Sequence, residues 1–175
     1  MNLSPSESYA RAKSIGKFPK TNKFAEGFPF ELDQFQIDAC HALEKGKGVL
    51  VAAPTGAGKT IVGEFAVDLV INSGGKCFYT TPIKALSNQK YNDFTNLNID
   101  TGLLTGDRTL KPDSELIVAT TEILRNMIYS NDERLKQIGL IVLDEVHYLS
   151  DSERGTTWEE IIIHAPKNIK FLFLS

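Results

Sequence analysis

The residues best equipped for chemistry lie in two short stretches. The first is Ala53-Pro54-Thr55-Gly56-Ala57-Gly58-Lys59-Thr60. It follows the apolar run Gly48-Val49-Leu50-Val51 and opens a segment with helical spacing at Ile61, Val62, Phe65, Ala66, Leu69 and Val70. Glycines between a strand and a helix let the backbone curl, so that successive N–H groups converge on phosphate oxygens. In such a loop Lys59 reaches the β- and γ-phosphates and the Thr60 hydroxyl ligates Mg²⁺. The general pattern begins with Gly six residues before the lysine, and Ala53 stands there instead. A plain surface turn is the alternative, but it leaves the apolar strand and the helical spacing on either side unexplained.

The second stretch is Leu140-Ile141-Val142-Leu143-Asp144-Glu145-Val146-His147. An apolar strand delivers two acids to its carboxyl end. Asp144 is placed to hold Mg²⁺ directly or through water. Glu145 is the candidate base that orients and activates an attacking water. Phosphoryl transfer is mostly positioning and charge neutralisation, so loop, lysine, metal and base describe half a site. A pair of merely solvated acids is the alternative for this stretch alone. On chemistry alone His147 reads as a structural histidine.

The elements that must position these residues follow from periodicity. Residues 1–24 lack a sustained apolar period and read as an irregular or weakly helical lead-in. Pro29 biases Phe28 towards an extended backbone, and a helix runs from Asp33 until Gly46 and Gly48 close it. Lys76–Thr81 reads as a strand ended by Pro82. Ile83–Leu97 reads as a helix with Ala85, Leu86, Tyr91 and Phe94 as core candidates. Ile99–Leu104 and Leu116–Thr120 read as strands, the second continuously apolar as a buried parallel sheet requires. Thr121–Tyr129 reads as a helix capped by Thr120 or Thr121. Ile138–Leu143, a helix at Thr156–His164 and a strand at Lys170–Leu174 complete the series. Trp158, Ile161, Ile162 and Ile163 read as core packing, and Phe171 and Phe173 as part of a buried strand. Alternating helices and continuously apolar strands predict an α/β fold, a doubly wound, mainly parallel sheet with helices on both faces. Ligands in such sheets bind at the carboxyl ends of the strands, which is where both chemical stretches fall.

Composition bounds the rest. The chain has 175 residues, 42% hydrophobic and 23% charged, and a formal net charge of −3, so it suits one domain with a proper core. No apolar run approaches the ~20 residues of a membrane helix, and the N-terminus lacks the plan of a secretion signal. No membrane partner is expected. Cys40 and Cys77 lack metal-ligand spacing and read as buried thiols in a reducing compartment. The acidic balance does not advertise a nucleic-acid binder. Charge is uneven, however: Arg11, Lys13, Lys17, Lys20 and Lys23 face only Glu7 in the first 25 residues. This reads as a solvated arm.

Asp144-Glu145-Val146-His147 taken with Ala53–Thr60 resembles the signature pair of superfamily two helicases of the DExH kind. Ala53 followed by Pro-Thr-Gly is itself familiar from helicase-type loops. The resemblance runs in order from Phe28 to Ser175. Phe28–Gln36 resembles the family's nucleotide-sensing segment, in which Gln36 would face the adenine edge. Tyr79–Lys90 resembles its first strand-binding motif. Thr105-Gly106-Asp107 and Thr120-Thr121-Glu122 resemble two further contact motifs, although a plain turn and an ordinary helix cap explain them on local chemistry. Phe173-Leu174-Ser175 resembles the start of the Ser-Ala-Thr motif. The run Pro82-Ile83-Lys84-Ala85-Leu86-Ser87-Asn88-Gln89-Lys90 is similar to the Ski-type RNA helicases, including the exosome-associated ones and the bacterial HelY group.

The resemblance implies a RecA-like lobe over residues 25–175 that binds ATP and Mg²⁺ through Ala53, Pro54, Thr55, Gly56, Ala57, Gly58, Lys59 and Thr60, with Gln36 at the base. It implies catalytic roles for Lys59, Asp144, Glu145 and His147, with Thr60 and Asp144 on the metal. His147 would couple the nucleotide site to the strand-binding surface. RNA would cross Pro82, Lys84, Thr105, Gly106, Asp107, Thr120, Thr121 and Glu122, held by placed donors and not by bulk charge. It also implies a second lobe that completes the ATP site and the RNA track. The full activity is then that of an ATP-dependent RNA helicase in the cytoplasm, and this chain alone is expected to hydrolyse little. A DNA-repair helicase lobe and a non-motor nucleotide- or RNA-binding module remain open. A small-molecule kinase on the same loop would leave the acidic box and the ordered motifs unexplained.

Overall fold

The computed structural model describes residues 16–147 and 155–175; residues 1–15 of the expected lead-in lie outside them. Helices are α1 Pro19–Ala25, α2 Gln34–Glu44, α3 Lys59–Ile71, α4 Lys84–Asn96, α5 Thr121–Tyr129 and α6 Gly155–His164. Strands are β1 Val49–Val51, β2 Lys76–Thr81, β3 Thr101–Leu104, β4 Thr109–Leu110, β5 Leu116–Thr120, β6 Ile138–Leu143 and β7 Lys170–Leu174. A 3-10 helix, Glu133–Gln137, leads into β6.

The seven strands form one sheet in the order β1-β7-β6-β2-β5-β3-β4. Every pairing is parallel except β3 with β4, which is an antiparallel edge. Strands β2 and β5 are almost wholly buried along their length, which explains the continuous apolar run of β5. Two cores cover the two faces. On one, Val62, Phe65 and Ala66 of α3 meet Tyr79, Val118, Val142 and Leu172, with α2 behind them. On the other, Leu124 and Met127 of α5 and Trp158 and Ile161 of α6 meet Phe78, Ile117, Ile141 and Leu143. Each large side chain so buried contributes about 1.5–3 kcal/mol, so the central strands are held from both sides.

The end of the lead-in is more ordered than its sequence suggests. Helix α1 begins with Pro19, which suits a first turn. Thr21 is buried because its hydroxyl and backbone N–H both donate to Glu44 Oε2, at 2.7 and 2.9 Å. Phe18 stacks on His41 with ring centroids 3.8 Å apart. Residues from Phe18 onward therefore pack onto α2 as part of the domain.

Three expectations are corrected. Ala85 is exposed and Leu86 only half-buried; α4 buries Ser87 and Phe94 instead, because the Ser87 hydroxyl pairs with that of Thr81 at 2.7 Å. Ile161 is buried, but Ile162 and Ile163 face solvent. Phe171 and Phe173 are half-buried, with their rings stacked on each other. Trp158 is core, as expected.

Candidate functional site

The loop between β1 and α3 has the backbone its glycines imply. Gly56 and Gly58 have φ of +83° and +82°, a left-handed conformation that costs other residues about 1–2 kcal/mol. A Cβ on Gly58 would lie 2.5 Å from Gln36 Nε2, whereas one on Gly56 would meet nothing within 4 Å. The open space at Gly56 admits an anion close to the backbone. Helix α3 has no acidic residue in its first turn, so nothing there opposes an anion at its positive end. The Lys59 ammonium donates to the carbonyls of Ala53 at 2.6 Å and Pro54 at 3.0 Å, folded back on its own loop. The loop's base is tied to the last strand: Ala53 N–H donates to Ser175 O, and Ser175 N–H to Val51 O. This places the Phe173-Leu174-Ser175 motif beside the phosphate loop.

Gln36, which the resemblance puts at the adenine edge, is held by two hydrogen bonds. It is 3% exposed. Its Oε1 accepts the Asp33 N–H at 2.8 Å, and its Nε2 donates to Gly58 O at 3.0 Å. Gln36 thus belongs to the capping box of α2 and braces the glycine loop.

Strand β6 delivers the acids. Asp144 is nearly buried. Its backbone N–H continues the ladder to Thr80 O. Its Oδ1 accepts the Glu145 N–H at 2.8 Å, and its Oδ2 accepts the phenolic O–H of Tyr79 at 2.6 Å. Burial first, and the Asp144 carboxylate second, push the Tyr79 phenol well above its ordinary range, so it stays a donor. Glu145 has φ of +58°. A non-glycine residue held there stores about 1–3 kcal/mol of strain, a feature that clusters at functional sites. Glu145 Oε2 lies 3.2 Å from His147 Nδ1. The last turn of the box is therefore a Glu–His contact beside a fixed Asp.

Sequence reasoning passed over two further residues. Lys90 Nζ lies 3.3 Å from Thr60 Oγ1 and 5.7 Å from the Tyr79 ring centroid. Glu64, on α3, has its carboxyl raised by burial, with Lys90 opposing the shift. Spacing alone carried no signal for either, because the contacts join separate helices.

The strand-binding set divides by exposure. Lys84, Gly106, Asp107 and Glu122 are exposed, while Pro82, Thr105, Thr120 and Thr121 are buried. The Thr121 hydroxyl donates to Thr81 O at 3.1 Å, and neither Thr120 nor Thr121 makes the side-chain cap expected for α5. The Thr105 hydroxyl donates to Asp107 Oδ1 at 2.9 Å. Lys84 Nζ reaches the same oxygen at 3.1 Å. Hydrogen bonds from Thr105 and then Lys84 hold the Asp107 carboxyl below its usual range. Arg108 Nη1 adds a 3.2 Å bond to Asn88 Oδ1. These buried hydroxyls shape the loops, and Lys84, Gly106, Asp107 and Glu122 form their outer face. A cavity of about 270 Å³ lies elsewhere, at the amino ends of β2, β5 and β6 around Lys76, Phe78, Ile117 and Ile138. It contains none of these residues. An enclosed volume is no guide here, because a phosphate cradle is an open backbone surface.

A parallel α/β sheet with a glycine phosphate loop after β1 and an Asp-Glu-Val-His box after β6 defines a RecA-like nucleotide-binding lobe. Comparison with known proteins makes the class specific. The DEAD/DEAH box helicase family model matches residues 33–175, and the chain belongs to that family. It is 55% identical to a protein named "Probable helicase HelY" from Mycobacterium leprae (strain TN), over 87% of this chain and 17% of the relative. It is 46% identical to "Antiviral helicase SKI2" of Saccharomyces cerevisiae, over 86% of this chain and 12% of that protein. It is 45% identical to human "Exosome RNA helicase MTR4", over 90% and 15% respectively. The chain thus spans less than a fifth of the length of these curated relatives.

Proposed function

We propose that this lobe binds ATP with Mg²⁺ and works, joined to a second RecA-like lobe, as the ATP-hydrolysing half of an RNA helicase. The observation that carries the reading is the Tyr79 side chain. It touches Asp144, and a Cβ on Gly63 of α3 would meet its ring at 3.1 Å. The acidic box and the phosphate-loop helix are thus one side chain apart.

The donor set suits Mg²⁺, which takes one or two protein oxygens and fills its shell from phosphates and water. Thr60 and Asp144 are those oxygens, and among the described residues no group of three metal-binding side chains exists. Bound Mg²⁺ supplies charge neutralisation at the phosphates. The protein's own part is to give up the contacts of Lys59 with Ala53 and Pro54 so that its ammonium meets the phosphates. Glu145 orients the water, and His147 steadies Glu145. Exposed Lys84 and the backbone around Gly106 and Glu122 hold RNA phosphates without reading bases. The name of the relative MTR4, "Exosome RNA helicase", supports RNA over DNA. The cytoplasm is the proposed compartment, in keeping with the free, buried Cys40 and Cys77. Among the described residues no helix is long and apolar enough to cross a membrane.

The test is ATP hydrolysis by the full-length protein with single-stranded RNA or DNA of one sequence. RNA is expected to stimulate hydrolysis more strongly. Equal or stronger stimulation by DNA would favour the DNA-repair reading.

A further inference from the structure

Tyr79 opens the Tyr79–Lys90 stretch that resembles a strand-binding motif, yet its hydroxyl meets Asp144 of the acidic box. It lies on β2, one strand away from the box, fully buried. Its register partner on β6 is Val142, two residues before Asp144, so its side chain runs forward to the strand end. There its hydroxyl donates to Asp144 Oδ2 at 2.6 Å. The other carboxylate oxygen takes the Glu145 N–H. With one bond to each oxygen the carboxylate cannot rotate freely, and each oxygen keeps a lone pair for a further partner.

Three neighbours hold the tyrosine in place. The Phe94 ring of α4 packs edge-on with centroids 5.2 Å apart. Gly63 of α3 leaves just enough room: a Cβ there would stand 3.1 Å from Tyr79 Cε2 and 3.4 Å from the hydroxyl. Lys90 places its ammonium over the ring and 3.3 Å from Thr60 Oγ1. Tyr79 is therefore bonded to the Asp144 carboxylate and linked through Lys90 to Thr60, the two residues proposed to ligate Mg²⁺.

We propose that Tyr79 is a positioning residue for the metal: through its bond to Asp144 Oδ2 it fixes the carboxylate orientation that Mg²⁺ binding requires. This rests on the assignment of Mg²⁺–nucleotide to Thr60 and Asp144. Partners that orient a metal's ligands commonly change metal affinity by about 10–100-fold when removed. Tyr79 touches no nucleotide in this scheme, so its effect belongs to the metal and not to the phosphates.

The experiment is a titration of a fluorescent ATP analogue into the full-length protein, in Mg²⁺ and again in EDTA, without following turnover. Wild type is expected to bind more tightly in Mg²⁺. Tyr79→Phe keeps the ring and the packing, and should reduce that Mg²⁺ enhancement about 10-fold while leaving affinity in EDTA within about 2-fold. Gly63→Ala, which displaces the ring without altering the hydroxyl or any ligand, should reduce the enhancement in the same direction. An unchanged ratio in Tyr79→Phe overturns the proposal. So does an equal loss in Mg²⁺ and in EDTA, which is what a purely structural role would give. Wild type that binds no nucleotide, or binds it without regard to Mg²⁺, would instead overturn the site assignment beneath it.

Discussion

Replacing Gly58 by Ala separates backbone strain from a specific contact, because Gly56 provides the control. Both positions have φ near +80°, so each alanine incurs the left-handed penalty of about 1–2 kcal/mol. Only at Gly58 does the new Cβ meet an obstacle, Gln36 Nε2 at 2.5 Å. That amide cannot simply swing aside, since its oxygen holds the Asp33 N–H at 2.8 Å and its nitrogen holds Gly58 O at 3.0 Å. Losing one such bond costs about 1 kcal/mol, and stranding a buried partner costs more. Gly58→Ala is therefore expected to destabilise the 175-residue chain by about 3 kcal/mol, and Gly56→Ala by about 1–2 kcal/mol. In a Gln36→Ala background the two alanines should cost the same, a coupling of about 1–2 kcal/mol between Gly58 and Gln36. Urea unfolding followed by the emission of buried Trp158 reads these differences directly. Equal effects of the two glycine substitutions in the wild-type background would refute the contact. Additivity of Gly58→Ala with Gln36→Ala would refute it too.

Stability should also fall at alkaline pH. Burial pushes the Cys40 and Cys77 thiols up to about 12; unfolded, each titrates near 8.5. The folded state then keeps protons the unfolded state has released, so stability is full below about pH 8.5 and declines above it by up to about 1.4 kcal/mol per pH unit for each thiol. Urea midpoints from pH 8 to 10.5 should show this slope, and Cys77→Ala should make it shallower; an unchanged slope contradicts the burial argument. Thr121→Val removes the buried bond to Thr81 O and should cost about 1–3 kcal/mol, measured by the same unfolding. Lys84→Ala, at an exposed site, should leave stability within about 0.5 kcal/mol. It should lower the salt dependence of RNA binding by roughly one phosphate contact.

The elements that sequence made legible are those whose burial is uniform. Strands β5 and β6 read correctly to the residue because parallel strands under helices carry near-continuous apolar runs. Helix α5 read correctly for a related reason, its apolar face being confined to Ile123, Leu124, Met127 and Ile128. Strand β4 is two residues long, too short for a period to show. Helix α1 depends on Thr21 reaching Glu44, a contact across 23 residues that local propensity cannot express. Ser87 was missed as a buried position because its burial depends on a hydroxyl pair and not on apolarity. Of the candidate site, the loop and the acidic box were legible as residue types. The folded-back Lys59, the brace from Gln36 and the strained Glu145 were not, since each is a fact about backbone geometry. Tyr79 and Lys90 stood inside a motif read for its loop residues, and only the packing of α3 and α4 against β2 shows what they touch.

The most direct test of the central claim is Glu145→Gln in the full-length protein, with nucleotide binding and RNA-stimulated hydrolysis measured side by side. The substitution keeps the size of the side chain and removes its charge and basicity. If Glu145 orients and activates the water, ATP affinity should stay within about 3-fold, while hydrolysis falls by about 10²–10⁴-fold, the usual weight of a general base. Hydrolysis at the wild-type rate would contradict the assignment of the acidic box as the hydrolytic centre.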